Sequence, residues 1–311
     1  DVYKRQVTIV REEIKTVSVK SKMIENGFGW VRISQFQERT VDDLTRKLEE
    51  LYKQDPKMKG LVLDLRNDPG GLLDAAVAVS TVFLPENVTV VSTNGQLEES
   101  KFTFKAAPDF YLRRGGQDTV SSLASKTQNF YKKVPLVVLV NEGSASASEI
   151  VAGALQDHKR AVLMGSQTFG KGSVQTIRQL GADTALKITT ARYYTPSGRS
   201  IQAKGIMPEL LVDDTPEGSP FAALRTREAD LEKHLNSGQG KEEKDPSREK
   251  AREEAIKRLE EESKKQGADR KAPEFGSPED FQLQQALNHL KRQPVKISKT
   301  LTERPVEKKE P

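Results

Sequence analysis

Apolar residues fall into two rhythms along the chain. Val41, Leu44, Leu48 and Leu51 recur at the spacing of one helix face, behind Thr40 as N-cap with Asp43 three residues on. Other apolar stretches are short and nearly continuous, as in strands buried on both faces: 61–65, 134–140 and 161–164. Residues 28–34 and 88–93 also read as strands, and 7–10 as the end of one. Asn94-Gly95 is a hairpin signal. A mostly apolar segment ending at Leu84 predicts a helix, and a further helix ends near Asp157. Segments 173–180 and 184–194 read as a hairpin across Gly181-Ala182-Asp183, whereas 106–133 show no clear period. Strands alternating with helices predict an α/β core over 18–215, long enough to bury a sizeable interior.

From about 216 the pattern changes. Residues 241–270 contain 20 charged side chains in 30, ten of each sign, which predicts a solvated helix or disorder. One apolar stripe returns at Leu283, Ala286, Leu287 and Leu290. Before it, Ser277-Pro278-Glu279-Asp280 supplies an N-cap, a Pro at the first helical position and acids for the first turn. A helix near 278–291 should therefore dock, on the core or on another subunit. The chain divides into 1–17, a core at 18–215 and a charge-rich, partly helical or disordered extension at 216–311.

Composition narrows the chemistry. The net charge is +5, but 291–311 carry seven positive and three negative residues, so the core is nearly neutral. A nucleic-acid binder needs a basic face on its folded part, so no nucleic-acid partner is expected. The basic tail reads as a solvated segment or as a contact for an acidic partner. With no Cys, a thiol nucleophile, disulfides and Cys-ligated zinc are excluded. Of the three His, His234 and His289 fall in the extension and His158 reads as a surface or packing residue. No metal, no cofactor and no His base are therefore expected. No apolar run approaches the ~18 residues of a membrane span.

Three stretches could carry chemistry. Asn141-Glu142-Gly143-Ser144-Ala145-Ser146-Ala147-Ser148-Glu149 joins a buried strand to a helix and bears only small side chains around its serines. A Ser there can be exposed while the next N–H points out of the helix N-terminus, a geometry that suits an oxyanion. A capping box of Ser146 with Glu149 explains the same residues. Phe169-Gly170-Lys171-Gly172-Ser173-Val174-Gln175 places a lysine between glycines. Buried, such an amine becomes a general base, with Lys171, Ser173 and Gln175 on one strand face; exposed, it is a loop lysine. Asp64-Leu65-Arg66-Asn67-Asp68-Pro69-Gly70-Gly71 ends a strand in a glycine pair, which lines a cleft with N–H groups or simply turns the chain.

Together with Gly29-Trp30-Val31-Arg32-Ile33-Ser34-Gln35-Phe36 and Tyr194-Thr195-Pro196-Ser197-Gly198-Arg199-Ser200-Ile201-Gln202, these stretches resemble the bacterial carboxy-terminal processing peptidases, or tail-specific proteases. The resemblance implies a ClpP/crotonase-like spiral fold and a Ser-Lys serine endopeptidase. It makes Ser146 the nucleophile, Lys171 the base and Gln175 the residue that orients the base. Ala147 with Gly70 or Gly71 would form the oxyanion hole, and Asp157 is an acid sometimes counted with the site, though its reading as a polar residue near a helix end is the favoured one. The implied substrates are polypeptides with exposed C-terminal tails, and the implied location is the periplasm or cell envelope. Such proteins carry a PDZ domain before the core, of which only 7–14 would be the last strand here. Two rival readings are a non-catalytic scaffold on this fold and an acyl-transfer enzyme acting on small amides. The extension could also hold an adaptor or a second copy.

Overall fold

The continuous apolar runs become the centre of a six-stranded sheet. In this computed structural model, which describes residues 17–113, 115–216, 218–219, 226–239 and 274–298, its strands are β1 (Val19–Glu25), β2 (Phe28–Ile33), β3 (Gly60–Asp64), β6 (Leu136–Val140), β7 (Val162–Gly165) and β10 (Leu210–Leu211). They lie in the order β1-β2-β3-β6-β7-β10. β1 is antiparallel to β2, and all other neighbours are parallel. The expected strand at 7–10, the charged run 241–270 and most of the basic tail lie outside the described residues.

Side-chain alternation assigns each strand residue to one face of this sheet. Leu61, Leu63, Leu136, Val138 and Val140 enter a core shared with α1 (Thr40–Gln54), α2 (Leu73–Phe83) and α4 (Ala147–Asp157). Val62, Val137 and Leu139 enter a second core with Phe28, Trp30 and Met164. That core is closed by Leu283, Ala286 and Leu287 of α5 (Phe281–Leu290), so the stripe in the extension docks on the chain's own sheet. Each buried Leu contributes about 1.5–3 kcal/mol there. Between α2 and β6 the chain also forms α3 (Thr119–Lys126), capped by Asp118, whose carboxylate accepts from the Ser121 N–H at 3.0 Å.

A second sheet, β5-β4-β9-β8, is antiparallel throughout and consists of β4 (Thr89–Gly95), β5 (Phe102–Lys105), β8 (Ser173–Gln179) and β9 (Ala185–Tyr194). The expected β8–β9 hairpin forms, and its far end exposes Ile177, Leu180, Leu186 and Ile188.

Three expected boundaries shift. Asn94-Gly95 is not the turn: both residues stay in β4 opposite Arg192 and Ala191, and a Cβ at Gly95 would lie 2.1 Å from the Thr190 carbonyl. Glycine here serves close strand approach, and the chain turns later, at 98–100. Thr40 is the first residue of α1 rather than its cap, because its hydroxyl turns back to accept from the Gln37 N–H and donate to the Gln35 carbonyl. In α5 the cap is Asp280, not Ser277; its carboxylate accepts from the Leu283 N–H at 3.1 Å. β3 and β6 are parallel neighbours, so the loops leaving their carboxyl ends meet outside the sheet, where open α/β folds place ligands.

Candidate active site

The loop after β6 sorts its three serines by what each hydroxyl does. Ser144 is fully buried; it donates to the Leu65 carbonyl at 2.7 Å and accepts from the Asn141 N–H at 3.0 Å. Ser148 is fully buried and donates to the Asp68 carbonyl at 3.0 Å. Ser146 alone is half-buried, and it sits at the strand-to-helix turn with φ +54° and ψ −110°. A non-glycine residue rarely adopts that conformation, and such strain of about 1–3 kcal/mol concentrates where function requires it. α4 begins at the next residue, so the Ala147 N–H belongs to the first turn, where no intrahelical acceptor exists.

The loop after β3 is stitched to this turn. Asn67 and Asn141 exchange bonds: the Asn67 N–H donates to Asn141 Oδ1 and Asn141 Nδ2 donates to Asn67 Oδ1, both at 2.8 Å. The Ala145 N–H donates to the Asp68 carbonyl at 2.9 Å. Gly70, at φ +91°, lies so close that a Cβ would stand 2.5 Å from the Ala145 carbonyl oxygen and 2.8 Å from the Ala147 nitrogen. No other residue fits there. The Gly70 N–H, an expected oxyanion donor, instead donates to Asp68 Oδ1 at 2.8 Å. Asp68 is fully buried and its second oxygen, Oδ2, has no hydrogen-bond partner. Burial pushes this carboxyl up to about 7, against the pull of the Gly70 N–H.

Glu149 joins these loops to the lysine. Its fully buried carboxylate takes four donors. Oε1 accepts from the Thr168 hydroxyl at 2.5 Å and the Gly170 N–H at 2.7 Å. Oε2 accepts from the Ser146 N–H and the Lys171 N–H, both at 2.8 Å. Ser146 and Lys171, 25 apart in sequence, thus have backbone nitrogens no more than two hydrogen-bond lengths apart. Burial pushes the Glu149 carboxyl up to about 7, while its four donors favour the ion. The capping interaction foreseen for Ser146 and Glu149 is therefore present, but the same carboxylate does more.

The lysine loop has a second support. The Gly172 N–H donates to Gln202 Oε1 at 2.9 Å, and the Ala203 N–H donates to the Gly170 carbonyl at 2.8 Å. Lys171 is half-buried rather than buried, and Gln175 is exposed. β8 starts at Ser173, so Lys171 lies in the loop before it, and the register shift opposite Val174 and Gln175 comes from an extra residue in β9, Thr190. Neither the Lys171 amine nor the Gln175 amide has a hydrogen-bond partner among the described residues. Asp157 is the last residue of α4, about 16 Å along the axis from Ser146. It pairs with Arg199 and accepts from the Ser197 N–H at 2.8 Å. Burial alone would raise its pKa, but bonds from Thr195 and Ser197 and the Arg199 charge hold it below the usual range. Asp157 thus anchors the 195–199 turn and does not reach the site.

Glu149, Asp68 and Gln202 were not foreseen in these roles. Glu149 carried a usable signal: an acid inside a run of small residues, with no cation nearby in sequence. Gln202 carried none beyond its place in the 194–202 motif. No cluster of His, Asp or Glu among the described residues could hold a metal ion, and no described helix is long and apolar enough to cross a membrane.

The model of peptidase family S41 matches residues 27–212, which contain every residue of this site. The chain belongs to peptidase family S41. Among its S41 relatives is a carboxy-terminal-processing protease of Bartonella bacilliformis, 43% identical over 242 residues, covering 77% of this chain and 50% of that protein. A carboxyl-terminal-processing protease of Synechocystis is 36% identical over 215 residues, covering 67% of this chain and 44% of that one. Among solved structures, a photosystem II D1 C-terminal processing protease superposes with a TM-score of 0.52 at 31% identity, covering 65% of this chain and 50% of that one. The chain spans about half the length of the relatives it matches. The S41 assignment makes it a peptidase by family and supports the mixed α/β fold expected for its core.

Proposed function

We propose that the chain carries the catalytic centre of a serine endopeptidase that cuts polypeptides near their C-termini, with Ser146 as nucleophile and Lys171 as general base. One observation carries the assignment of the pair: a single oxygen of Glu149 accepts from the N–H groups of both residues. The names of the S41 relatives supply the substrate class. Ser146 is also the one serine of its loop whose hydroxyl is not committed to a carbonyl in the scaffold.

In the reaction the Lys171 amine takes the Ser146 proton as Oγ bonds to the scissile carbonyl carbon. The oxyanion is stabilised by the Ala147 N–H at the start of α4, a donor type worth about 3–4 kcal/mol. The Gly70 N–H is committed to Asp68, so the second donor is assigned to Gly71. Collapse breaks the C–N bond, and the Lys171 ammonium protonates the leaving amine. Water, deprotonated again by Lys171, hydrolyses the acyl-enzyme. This is the Ser-Lys variant of nucleophilic catalysis. Gln175, the residue expected to orient the lysine, is exposed on β8 and forms no hydrogen bond with Lys171 in this structure. Purified chain and its Ser146→Ala and Lys171→Ala variants, incubated with a disordered polypeptide, test the reading. Cleavage by the parent and none by either variant is expected; undiminished cleavage by either variant contradicts it.

A further inference from the structure

Arg66 is one of the largest fully buried side chains of the molecule, and it stands four residues before Gly70. Its guanidinium forms two forked pairs. Toward its own strand, Nε and Nη2 donate to the two oxygens of Asp64 at 3.0 and 2.6 Å. Toward α5, Nη1 and Nη2 donate to the two oxygens of Asp280 at 2.8 and 2.6 Å, and Nη1 also donates to Gln282 at 3.1 Å. The Phe275 ring covers the guanidinium at 4.2 Å and that of Arg32 at 4.5 Å. Arg32 donates to Asp64, so two carboxylates meet two guanidiniums in a largely buried, charge-balanced cluster. Asp280 is itself fixed, since it accepts from the Gly276 and Leu283 N–H groups.

Two facts argue against a purely stabilising role. A buried ion cluster gains little over apolar packing, because desolvation offsets the Coulomb attraction. And α5 already has Leu283, Ala286 and Leu287 to hold it on the sheet. What the cluster adds is direction. Arg66 leads directly into Asn67, whose reciprocal bonds with Asn141 hold the Ser146 loop, and then into Asp68, whose carbonyl accepts from Ala145 and Ser148. The side chain of Arg66 is clamped from both ends, so the loop starts from one fixed point.

We propose that Asp280 is a positioning residue of the catalytic centre, acting through Arg66 to hold the 66–71 loop against the Ser146 turn. The docked part of the extension, 275–282, then belongs to the working core although the family match ends at 212. This rests on the reading of Ser146 as nucleophile.

The test compares Asp280→Asn, Asp280→Glu and Leu287→Ala in the full chain by three measurements. These are the rate of fluorophosphonate labelling at Ser146, hydrogen exchange of the 66–72 peptide, and thermal unfolding. Asp280→Asn should slow labelling about tenfold or more and speed exchange at 66–72, because Arg66 loses a charged partner. Asp280→Glu, which keeps the charge, should recover most of the labelling rate. Leu287→Ala should lower the melting temperature at least as far yet label within about twofold of the parent, measured where each protein is folded. Asp280→Asn labelling at the parental rate, or slowed no more than Leu287→Ala, overturns the proposal. If Asp280→Asn does not fold, Gln282→Ala, which removes one Arg66 contact, should slow labelling about threefold, and a parental rate there overturns it. If the parent itself is not labelled, the assignment of Ser146 has failed. Exchange at 66–72 then decides the positioning role alone, and exchange unchanged in Asp280→Asn overturns it.

Discussion

The two halves of the candidate dyad are held very differently. Around Ser146 the structure is closed: Ser144, Ser148, Asn67 and Asn141 lock the turn through side-chain bonds, and Gly70 packs against it. Around Lys171 only the backbone is held, by Glu149 and through the neighbouring glycines by Gln202 and Ala203, while the side chain is half-buried and the chain leads into a hairpin with four large exposed apolar residues. The nucleophile half is preorganised. The base half has its backbone fixed, and its amine has no hydrogen-bond partner among the described residues. Fixing the charge-stabilising donors matters most for rate, because they cannot be reorganised at the moment of reaction. A lysine amine, by contrast, can be seated by the substrate.

The largest effect should come from removing either half. Ser146→Ala and Lys171→Ala should each lower the cleavage rate by about a thousandfold or more in a polypeptide-cleavage assay. Equal losses would show that the loosely held half is as indispensable as the rigid one.

Next comes the link between the halves. Glu149→Ala leaves four donors buried without an acceptor, each costing about 1–3 kcal/mol, and should lower both melting temperature and activity sharply. Glu149→Gln should fold but lose activity, since one amide oxygen cannot accept what two carboxylate oxygens accept. The clamp needs the ionised form, because a proton would sit where an N–H already points. With the carboxyl pushed up to about 7, activity of the parent should rise with pH through that value, and this limb should vanish in Glu149→Gln.

Gly70→Ala should act on the rigid half alone. Its Cβ would meet the Ala145 carbonyl at 2.5 Å and the Ala147 nitrogen at 2.8 Å, displacing the oxyanion donor. A loss of about a hundredfold in kcat with little change in KM is expected from steady-state kinetics.

Asp68 offers a finer test. Its carboxyl is raised from 3.8 to about 7, so the folded state holds a proton that the unfolded chain releases. The stability this gives is full below about 4 and is lost as pH rises through 7. Chemical denaturation of Asp68→Asn should therefore show a flatter pH dependence over that window than the parent. An unchanged slope would mean that Asp68 is ionised throughout. The smallest effect is expected from Asp157→Ala, which should lower stability by loosening the 195–199 turn but leave kcat nearly intact.

Most of the sheet and helix order was legible because its residues obey one period at a time. The short, nearly continuous apolar runs at 61–65 and 134–140 report strands, and Leu44, Leu48 and Leu51 report a helix face. β1 escaped because its two lysines and shifting exposure imitate a surface loop, and α3 because only its cap, Asp118-x-x-Ser121, departs from background. At the site, the family resemblance singled out the Ser146 and Lys171 stretches, which spacing alone left open as a capping box and a loop lysine. It could not show that Glu149 would serve both, since one acid in a capping position reads as local. Nor could it show that Gly70 would be turned toward Asp68, or that Asp280 would return from 214 residues on to grip Arg66. Those are consequences of tertiary packing, which assigns partners to buried polar groups without regard to sequence distance.

The central claim is that the folded core activates one serine out of three in its loop. Labelling the purified chain with a fluorophosphonate and mapping the adduct by mass spectrometry tests it directly. The account predicts modification at Ser146 alone, abolished in Lys171→Ala; modification at Ser144 or Ser148, or none at any of the three in folded protein, would contradict it.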